Sequence, residues 1–274
     1  MKYRISKTSE ILRHLSKSIE DKSPFSLMRF GDGGLKMMNS IFKNNNKNIK
    51  IIGEKEGIPE DKIKDILNLW VKYANDADYI DTPSVYDKKY FWGRYKKEQI
   101  PINKGTARLL LKWEAVYNRC GIRTTDRRYC NPEFNWLAIL NSNFNLLNLL
   151  TNKKICFISI YDNLPRLSKF DITYKKIVGH YENQFKNSFQ STIEYINENA
   201  NEYDLWLNSS GELGRVYSGR IKELGGRVLD MGFVAQYWNN FQRPERFNKF
   251  IEPDISNSLM MKLTSNGLVY KRNI

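Results

Sequence analysis

Apolar positions along this chain fall into two spacings. Short, largely apolar runs at Phe25–Phe30, Ile155–Ile160 and Leu205–Leu207 have the character of strands buried on both faces. Between them, apolar residues recur every three or four positions, as on one face of a helix. Alternation of the two is the pattern of an α/β domain with a largely parallel sheet. In chain order it predicts a helix over Ile5–Ile19, the strand Phe25–Phe30, a helix over Leu35–Phe42 and a strand over Ile49–Gly53. A helix then opens at Pro59, with Ile63, Ile66, Leu67, Trp70 and Ala74 on its buried face and Glu60 and Asp61 in its first turn. A short strand near Tyr79–Ile80 follows. Residues 86–128 are the least regular and suggest a helical insertion with Leu109, Leu110, Trp113 and Val116 as its buried stripe.

Asn131-Pro132-Glu133 reads as the start of one helix running through Phe134, Leu137, Leu140 and Leu147 toward Leu150. The run Ile155–Ile160 predicts a central strand, and Tyr174–Val178 a second. Phe189, Ile193, Ile196 and Ala200 mark a helix. Leu205–Leu207, the turn Asn208–Arg215, a helix with Leu213, Val216, Tyr217, Ile221 and Leu224 on one face, Gly225-Gly226 and the strand Val228–Asp230 form a βαβ unit. There is no internal repeat, and Asn44–Asn46 is the one low-complexity patch.

Two glycine-rich turns carry the candidate chemistry. Gly31-Asp32-Gly33-Gly34 follows the first strand, and three glycines in four positions let the backbone turn sharply and approach a ligand. The N–H groups opening the next helix present partial positive charge, so this junction, flanked by Arg29 and Asp32, suits an anion or a metal-bound phosphate. A plain tight turn with a solvated aspartate fits the same residues. The second turn, Ser209-Ser210-Gly211-Glu212-Leu213-Gly214, is one residue short of the dinucleotide fingerprint G-x-G-x-x-G, and Asp230 stands about twenty residues on, where a ribose-binding acid is expected. This leaves a dinucleotide-binding enzyme or an adenosylmethionine-dependent methyltransferase open. Against it, the fingerprint normally occupies the first βα turn of its domain, and the missing glycine is the one that permits the tight turn.

The run Arg29-Phe30-Gly31-Asp32-Gly33 at the end of an early strand resembles the motif of the GT-D-type glycosyltransferases, which carry Arg-Phe-Gly-Asp-Gly-Glu. Gly211-Glu212-Leu213-Gly214-Arg215, a helix, Gly225-Gly226, then Val228-Leu229-Asp230-Met231-Gly232 and Trp238 resemble the C-terminal part of the same family. Together the two motifs span about Ser26 to Arg243. The resemblance implies a Rossmann-like open, mostly parallel sheet flanked by helices. Residues 1–250 would form a single domain carrying the helical insertion, and 251–274 a C-terminal extension. It also implies transfer of a sugar from a nucleotide-sugar donor, a UDP-sugar first, to a glycan or glycosylated acceptor. In that family the Asp-x-Glu portion is associated with a divalent metal and the donor diphosphate. This chain has Gly34 where the Glu would stand, which removes one anionic ligand from a Mn²⁺ or Mg²⁺ site and leaves Asp32 as the metal ligand.

Under this reading Arg29, Gly31, Asp32, Gly33, Gly34, Ser210, Gly211, Gly214 and Arg215 would hold the donor, its leaving charge offset by arginines and loop amides. Asp32, Glu212 and Asp230 are the candidate bases for the acceptor hydroxyl. Tyr237, Trp238 and Arg243 are candidates for sugar contact. Each has a plainer alternative: an ion pair for either arginine, a first-turn helix-dipole partner for Glu212, a strand-end hydrogen-bonding role for Asp230, and core closure for the two aromatics. Asp76-Ala77-Asp78 matches the loose D-x-D of other glycosyltransferase metal sites, but it falls between a helix end and a strand start, where acids are common.

Composition narrows the picture further. Forty-four Lys and Arg against thirty Asp and Glu give a formal charge of +14, which attracts polyanions and keeps a nucleic-acid-binding module in play. The basic residues are dispersed, however, and no zinc-finger or ribonucleoprotein signature accompanies them, so no specific nucleic acid is expected. The aromatic-basic stretch Tyr86–Lys97 supports base or sugar stacking as readily as an amphipathic helix. A mean hydropathy of −0.59 and no apolar run of spanning length argue against a membrane helix, leaving peripheral membrane contact open. The N-terminus shows basic residues without an apolar stretch after them, so a cytoplasmic location is the expectation. Cys120, Cys130 and Cys156 form no C-x-x-C pair, which favours free thiols over a disulfide framework or a zinc site. H-E-x-x-H, G-x-S-x-G and a P-loop lysine are absent, and His14 and His180 suggest no chemistry.

Overall fold

The computed structural model describes residues 2–30, 38, 53–54, 56–81, 115–130, 134–140, 145–179, 182–232, 234–239, 259–264 and 267–271. Its strands are β1 (Lys2–Ile5), β2 (Phe25–Met28), β3 (Tyr79–Asp81), β4 (Arg128–Cys130), β5 (Ile155–Ser159), β6 (Ile172–Lys176), β7 (Leu205–Asn208), β8 (Arg227–Asp230), β9 (Leu259–Thr264) and β10 (Gly267–Lys271). They form one sheet in the order β10-β9-β1-β4-β3-β2-β8-β7-β5-β6. Every neighbouring pair from β1 to β6 across this order is parallel, and the β9–β10 hairpin joins antiparallel along β1. This is the open, mostly parallel α/β sheet that the apolar pattern predicts.

Both faces of the sheet's centre are covered, which is why β2, β5 and β7 read as largely apolar runs. Phe25, Leu27, Tyr79, Ile155, Phe157, Leu205, Leu207 and Leu229 point into one core layer, together with helix α1 (Thr8–Glu20) and the later helices α3 (Phe134–Leu140), α4 (Leu146–Leu150) and α7 (Val234–Trp238). Their alternating neighbours Met28, Ile80, Cys156, Ile158, Trp206 and Val228 point into the other, with α2 (Glu60–Asp76), α5 (Gln190–Asn199) and α6 (Gly214–Glu223). The period-2 alternation of β-strand side chains sorts each strand between the layers.

Helix α2 starts after Pro59 with Glu60 and Asp61 in its first turn, as expected, and buries Ile63, Ile66, Leu67, Trp70, Tyr73 and Ala74. Helix α6 ends at Gly225, whose φ is +92°. The Gly225 N–H donates to the Lys222 carbonyl (2.9 Å) and the Gly226 N–H to that of Ile221 (2.8 Å), closing the helix before β8. Between α6 and α2 the backbones come close at Gly219, where a β-carbon would lie 1.8 Å from Tyr73 Cγ.

Several boundaries differ from the sequence expectation. Ile5 belongs to β1 and not to the first helix, which begins at Thr8. The strand after Pro24 ends at Met28, two residues before the apolar run does, and β5 ends at Ser159, leaving Ile160 41% exposed. The strand expected at Tyr174–Val178 lies two residues earlier. A single helix toward Leu150 is instead two, because Asn145 starts a new one, its side chain accepting from the Leu147 N–H at 2.6 Å. Gly53, expected at the end of a strand, is helical. Expectations for residues 39–52, for Leu109, Leu110 and Trp113 of the insertion and for Asn131–Glu133 fall outside the described residues. Of the helix over Leu35–Phe42, Met38 is described, and it is helical and buried. The three cysteines are free, Cys130 and Cys156 within the core.

Candidate functional site

Strands β3, β2, β8 and β7 lie side by side, and their carboxyl ends bring together segments far apart in sequence. Ligands of open parallel sheets gather at such ends. Here they present Asp81 from β3, Arg29 and Phe30 after β2, Asp230 from β8, Asn208 from β7, and Ser209 and Ser210 after it.

Where β2 leaves the sheet, side chains replace its strand neighbours. The Arg29 N–H donates to Asp230 Oδ2 at 3.4 Å and the Phe30 N–H to Asp81 Oδ1 at 2.7 Å. Arg215, in the first turn of α6, donates through Nε to the Arg29 carbonyl at 2.9 Å and through Nη2 to the Phe30 carbonyl. Both N–H groups and both carbonyls of this dipeptide are thus held by three side chains from β3, β8 and α6. Burial of these side chains makes the bonds strong and their loss costly. The Arg215 guanidinium lies 4.5 Å from the Trp70 ring centroid and 5.3 Å from that of Phe30, and its Nη1 pairs with the Glu212 carboxylate. Burial alone would lower its pKa, but the carboxylates of Glu212, Asp230 and Asp81 outweigh this and raise it.

Asp230 is a buried acid whose pKa is raised. Desolvation pushes its pKa up from 3.8 to about 6; Arg29 and Arg215 pull it down, Asp81 pushes it up, and a hydrogen bond from the Gly232 N–H (3.1 Å to Oδ1) pulls it down. Gly232 has a φ of +49°, and a β-carbon there would lie 2.5 Å from Arg29 Nη1, so the guanidinium rests directly on the backbone after β8. That backbone is fixed in turn: Ser209 Oγ donates to the Gly232 carbonyl (2.7 Å), and Asn135 Nδ2 to that of Met231 (2.8 Å).

The turn after β7 is bonded to itself. Asn208 Nδ2 donates to the Gly214 carbonyl (2.6 Å) and to Ser218 Oγ (2.8 Å), while its Oδ1 accepts from the Ser210 hydroxyl and N–H. Gln184 Nε2 donates to the Ser210 carbonyl at 3.2 Å. Gly211 has a φ of +63°, and a β-carbon on Gly214 would press on Asn208 at 2.9 Å, so both glycines serve the turn itself.

The structure therefore brings together Arg29, Ser210, Gly211, Glu212, Gly214, Arg215 and Asp230. Two of them do something other than expected. Arg215 faces inward with its donors on backbone carbonyls and Glu212, so it braces the site rather than presenting charge to a ligand, and Glu212 is its ion-pair partner. Trp238 is 1% exposed and packs edge-on against Phe157 at 5.8 Å, closing the core and offering no sugar platform. Gly31, Asp32, Gly33, Gly34, Arg243 and the Tyr237 side chain fall outside the described residues. Asp78 of the D-x-D match sits at the opposite, amino end of the strands. It accepts from the Ser26 N–H (2.9 Å) and pairs with Lys222 (2.8 Å), a turn role.

Sequence reasoning missed Asp81, Asn208 and Asn135. The signal for Asp81 was present, an acid closing the short apolar run Tyr79-Ile80, just as Asp230 closes Val228-Leu229. Among the described residues no group of three or more His, Cys, Asp or Glu could hold a metal ion, and Asp81 and Asp230 both direct oxygens at backbone N–H groups. These residues do not by themselves fit a metal centre. No described helix is long and apolar enough to cross a membrane.

A mostly parallel sheet with helices on both faces and polar residues converging at its carboxyl ends defines an open α/β fold. Among solved structures, the chain is similar to a domain of unknown function 1792 described as having a distinct glycosyltransferase fold, at 13% identity over 92% of this chain and 91% of that one, with a TM-score of 0.50. A protein described as a new glycosyltransferase of the same domain type from Streptococcus sanguinis aligns at 13% identity over 91% and 94%, with a TM-score of 0.49. A selenomethionine-substituted structure of domain of unknown function 1792 aligns at 14% identity over 90% and 95%, with a TM-score of 0.47. The first of these likenesses shows that the chain shares the fold. No family model and no curated protein matches the chain.

Proposed function

We propose that this protein is a glycosyltransferase that moves a sugar from a nucleotide-sugar donor, a UDP-sugar first, to a glycan or glycosylated acceptor. The observation that carries the reading is the meeting of Arg29 and Asp230 at the carboxyl ends of β2 and β8, braced by Asp81 and Arg215, in a chain with a glycosyltransferase-type fold. In such a transfer the bond between the sugar's anomeric carbon and the diphosphate oxygen breaks, and the leaving diphosphate takes the electron pair. The acceptor oxygen bonds to that carbon and its proton passes to a base.

Arg29 is suited to offset the diphosphate charge, because its guanidinium stands on Gly232 at the strand ends. Asp230, with its pKa near 6, is suited to exchange a proton close to neutral pH. Glu212 is the weaker candidate base, since Arg215 already holds its carboxylate. Asp32 belongs to this reading through the resemblance of its motif, as the residue that would hold Mn²⁺ or Mg²⁺.

Thermal-shift measurement with UDP, GDP, CMP, dTDP, NAD and S-adenosylhomocysteine, each with and without Mn²⁺, tests the proposal. Ligand at a hundredfold excess over its dissociation constant adds about 2.7 kcal/mol to stability. A raised midpoint with UDP, weakened by Asp32→Asn chiefly when Mn²⁺ is present, is the expected result. A shift confined to NAD or S-adenosylhomocysteine would overturn it and assign the Ser209–Asp230 unit to a dinucleotide-binding enzyme or methyltransferase. An equal loss on Asp32→Asn with and without Mn²⁺ would remove the metal from the reading.

A further inference from the structure

We propose that Asp81 and Arg215 are positioning residues for donor binding, acting through the backbone of Arg29 and Phe30. This inference rests on the transferase reading and extends it to two side chains that need not touch the donor. Beyond Met28 the backbone of β2 has left its ladder, and nothing in regular secondary structure dictates where Arg29 stands. Its N–H is bound by Asp230, its carbonyl by Arg215, and the next N–H and carbonyl by Asp81 and Arg215. Asp81 is 1% exposed and Arg215 5%, so both are buried braces. Each comes from a different element: Asp81 ends β3, and Arg215 opens α6 and lies over Trp70 of α2.

Asp81 holds the chain from the β3 side and Arg215 from the α6 side. The guanidinium of Arg29 is then laid against Gly232, whose lack of a side chain leaves room for it. Displacing a binding or reacting group by about 1 Å costs on the order of a hundredfold in rate, so a backbone anchor of this kind controls function without contacting substrate. An arginine is required at the α6 position because two adjacent carbonyls are bonded by one planar fork, which a lysine ammonium cannot reproduce. At Asp81 the requirement is for an acceptor, and an asparagine oxygen supplies one.

That difference gives the test. UDP affinity is measured by titration calorimetry for the full-length wild type, Asp81→Ala, Asp81→Asn and Arg215→Lys, at a series of pH values, with thermal midpoints recorded in parallel. The expected result is a loss of at least tenfold in UDP affinity for Asp81→Ala and Arg215→Lys in protein that is folded, and recovery of most of that loss in Asp81→Asn. The pH profile adds a readout that a purely structural role would not move. The groups facing Asp230 are Arg29, Arg215, Asp81, the Cys130 thiol and the Gly232 N–H; Asp81 pushes its pKa up, and an ionised Asp230 repels the UDP diphosphate. Affinity for UDP should therefore fall as Asp230 ionises, and that fall should move to lower pH in Asp81→Asn. If Asp81→Ala does not fold, Arg215→Lys against Asp81→Asn carries the comparison. Wild-type affinity in all folded variants, or equal weakening in Asp81→Ala and Asp81→Asn, overturns the inference and leaves the transferase reading standing. A wild-type protein that binds none of the nucleoside diphosphates ends that reading, and this inference with it.

Discussion

Replacing Asp230 by Asn should make the protein more stable at neutral pH and less stable in acid. In the unfolded chain this carboxyl titrates near its ordinary 3.8, and in the folded one near 6. Between those values the native state binds more protons than the unfolded state, so the group's contribution to stability is full below the lower value and is lost as pH rises through the upper one. Two units of difference correspond to about 3 kcal/mol at neutral pH. The substitution removes that penalty but leaves a single acceptor for the two N–H groups that Asp230 serves, at 3.4 Å from Arg29 and 3.1 Å from Gly232. One unsatisfied N–H costs about 1 kcal/mol. The variant should therefore be less stable by about 1 kcal/mol near pH 4 and more stable by about 2 kcal/mol near pH 7. Urea unfolding of both proteins across this range, with m-values compared to exclude a change in the unfolded state, measures the crossing. A difference that stays constant with pH, or grows in acid, would refute the reasoning. Under the proposed transferase reading the same variant should also lose transfer activity, since a buried acid retained at a cost to stability is a candidate functional group.

Two further substitutions test the packing beneath the site. Gly219→Ala places a methyl 1.8 Å from Tyr73 Cγ and 2.3 Å from Tyr73 Cβ, stem atoms that cannot swing away. Overpacking of this kind costs about 1–3 kcal/mol, and more where neither side can move, against about 1 kcal/mol gained in helix propensity. A lowered urea midpoint is expected, and an unchanged or raised one would contradict the close contact of α6 with α2. Glu223 is the second case. Hydrogen bonds from Lys72 and Arg220 lower its pKa from 4.5 to about 2; burial opposes this, and Tyr73 adds to it. The stability it contributes is full above 4.5 and is lost as pH falls through about 2, so Glu223→Gln should be the less stable protein at neutral pH, with the gap narrowing over that acid window. A gap that does not depend on pH would show that the ion pairs contribute nothing.

How much of this was legible in the residues depends on how local each interaction is. Strand β5 was readable because a strand covered on both faces must be apolar at every position, and Ile155, Cys156, Phe157 and Ile158 are. The β7-α6-β8 unit was readable because its turns carry glycines where φ is positive. Strand β1 was not. Lys2–Ile5 is four residues of mixed polarity, and its partners Arg128 and Leu259–Thr264 lie more than a hundred residues away. The split between α3 and α4 was missed for the opposite reason. Leu140 and Leu147 keep helical spacing across the break, and only the capping oxygen of Asn145 shows that a second helix begins.

The site divides along the same line. Arg29 and Asp230 announced themselves because each stands at the close of an apolar run, two positions before a glycine, a local signature of a backbone that must approach a ligand or another chain segment. Asp81 carries no neighbouring glycine and ends a strand of three residues, so its bond to the Phe30 N–H, fifty-one positions away, has no local trace. Arg215 was legible as a candidate, but its inward orientation was not. A cation in the first turn of a helix after a glycine-rich loop is a reasonable phosphate ligand by sequence alone. What turns it inward is Trp70 on α2 and the carbonyl of Phe30, 185 positions away. Sequence pattern identifies which residues can do chemistry at a strand end. Which of them face the ligand and which brace the others is decided by contacts between elements, and in this chain those contacts converge on two residues at the end of β2.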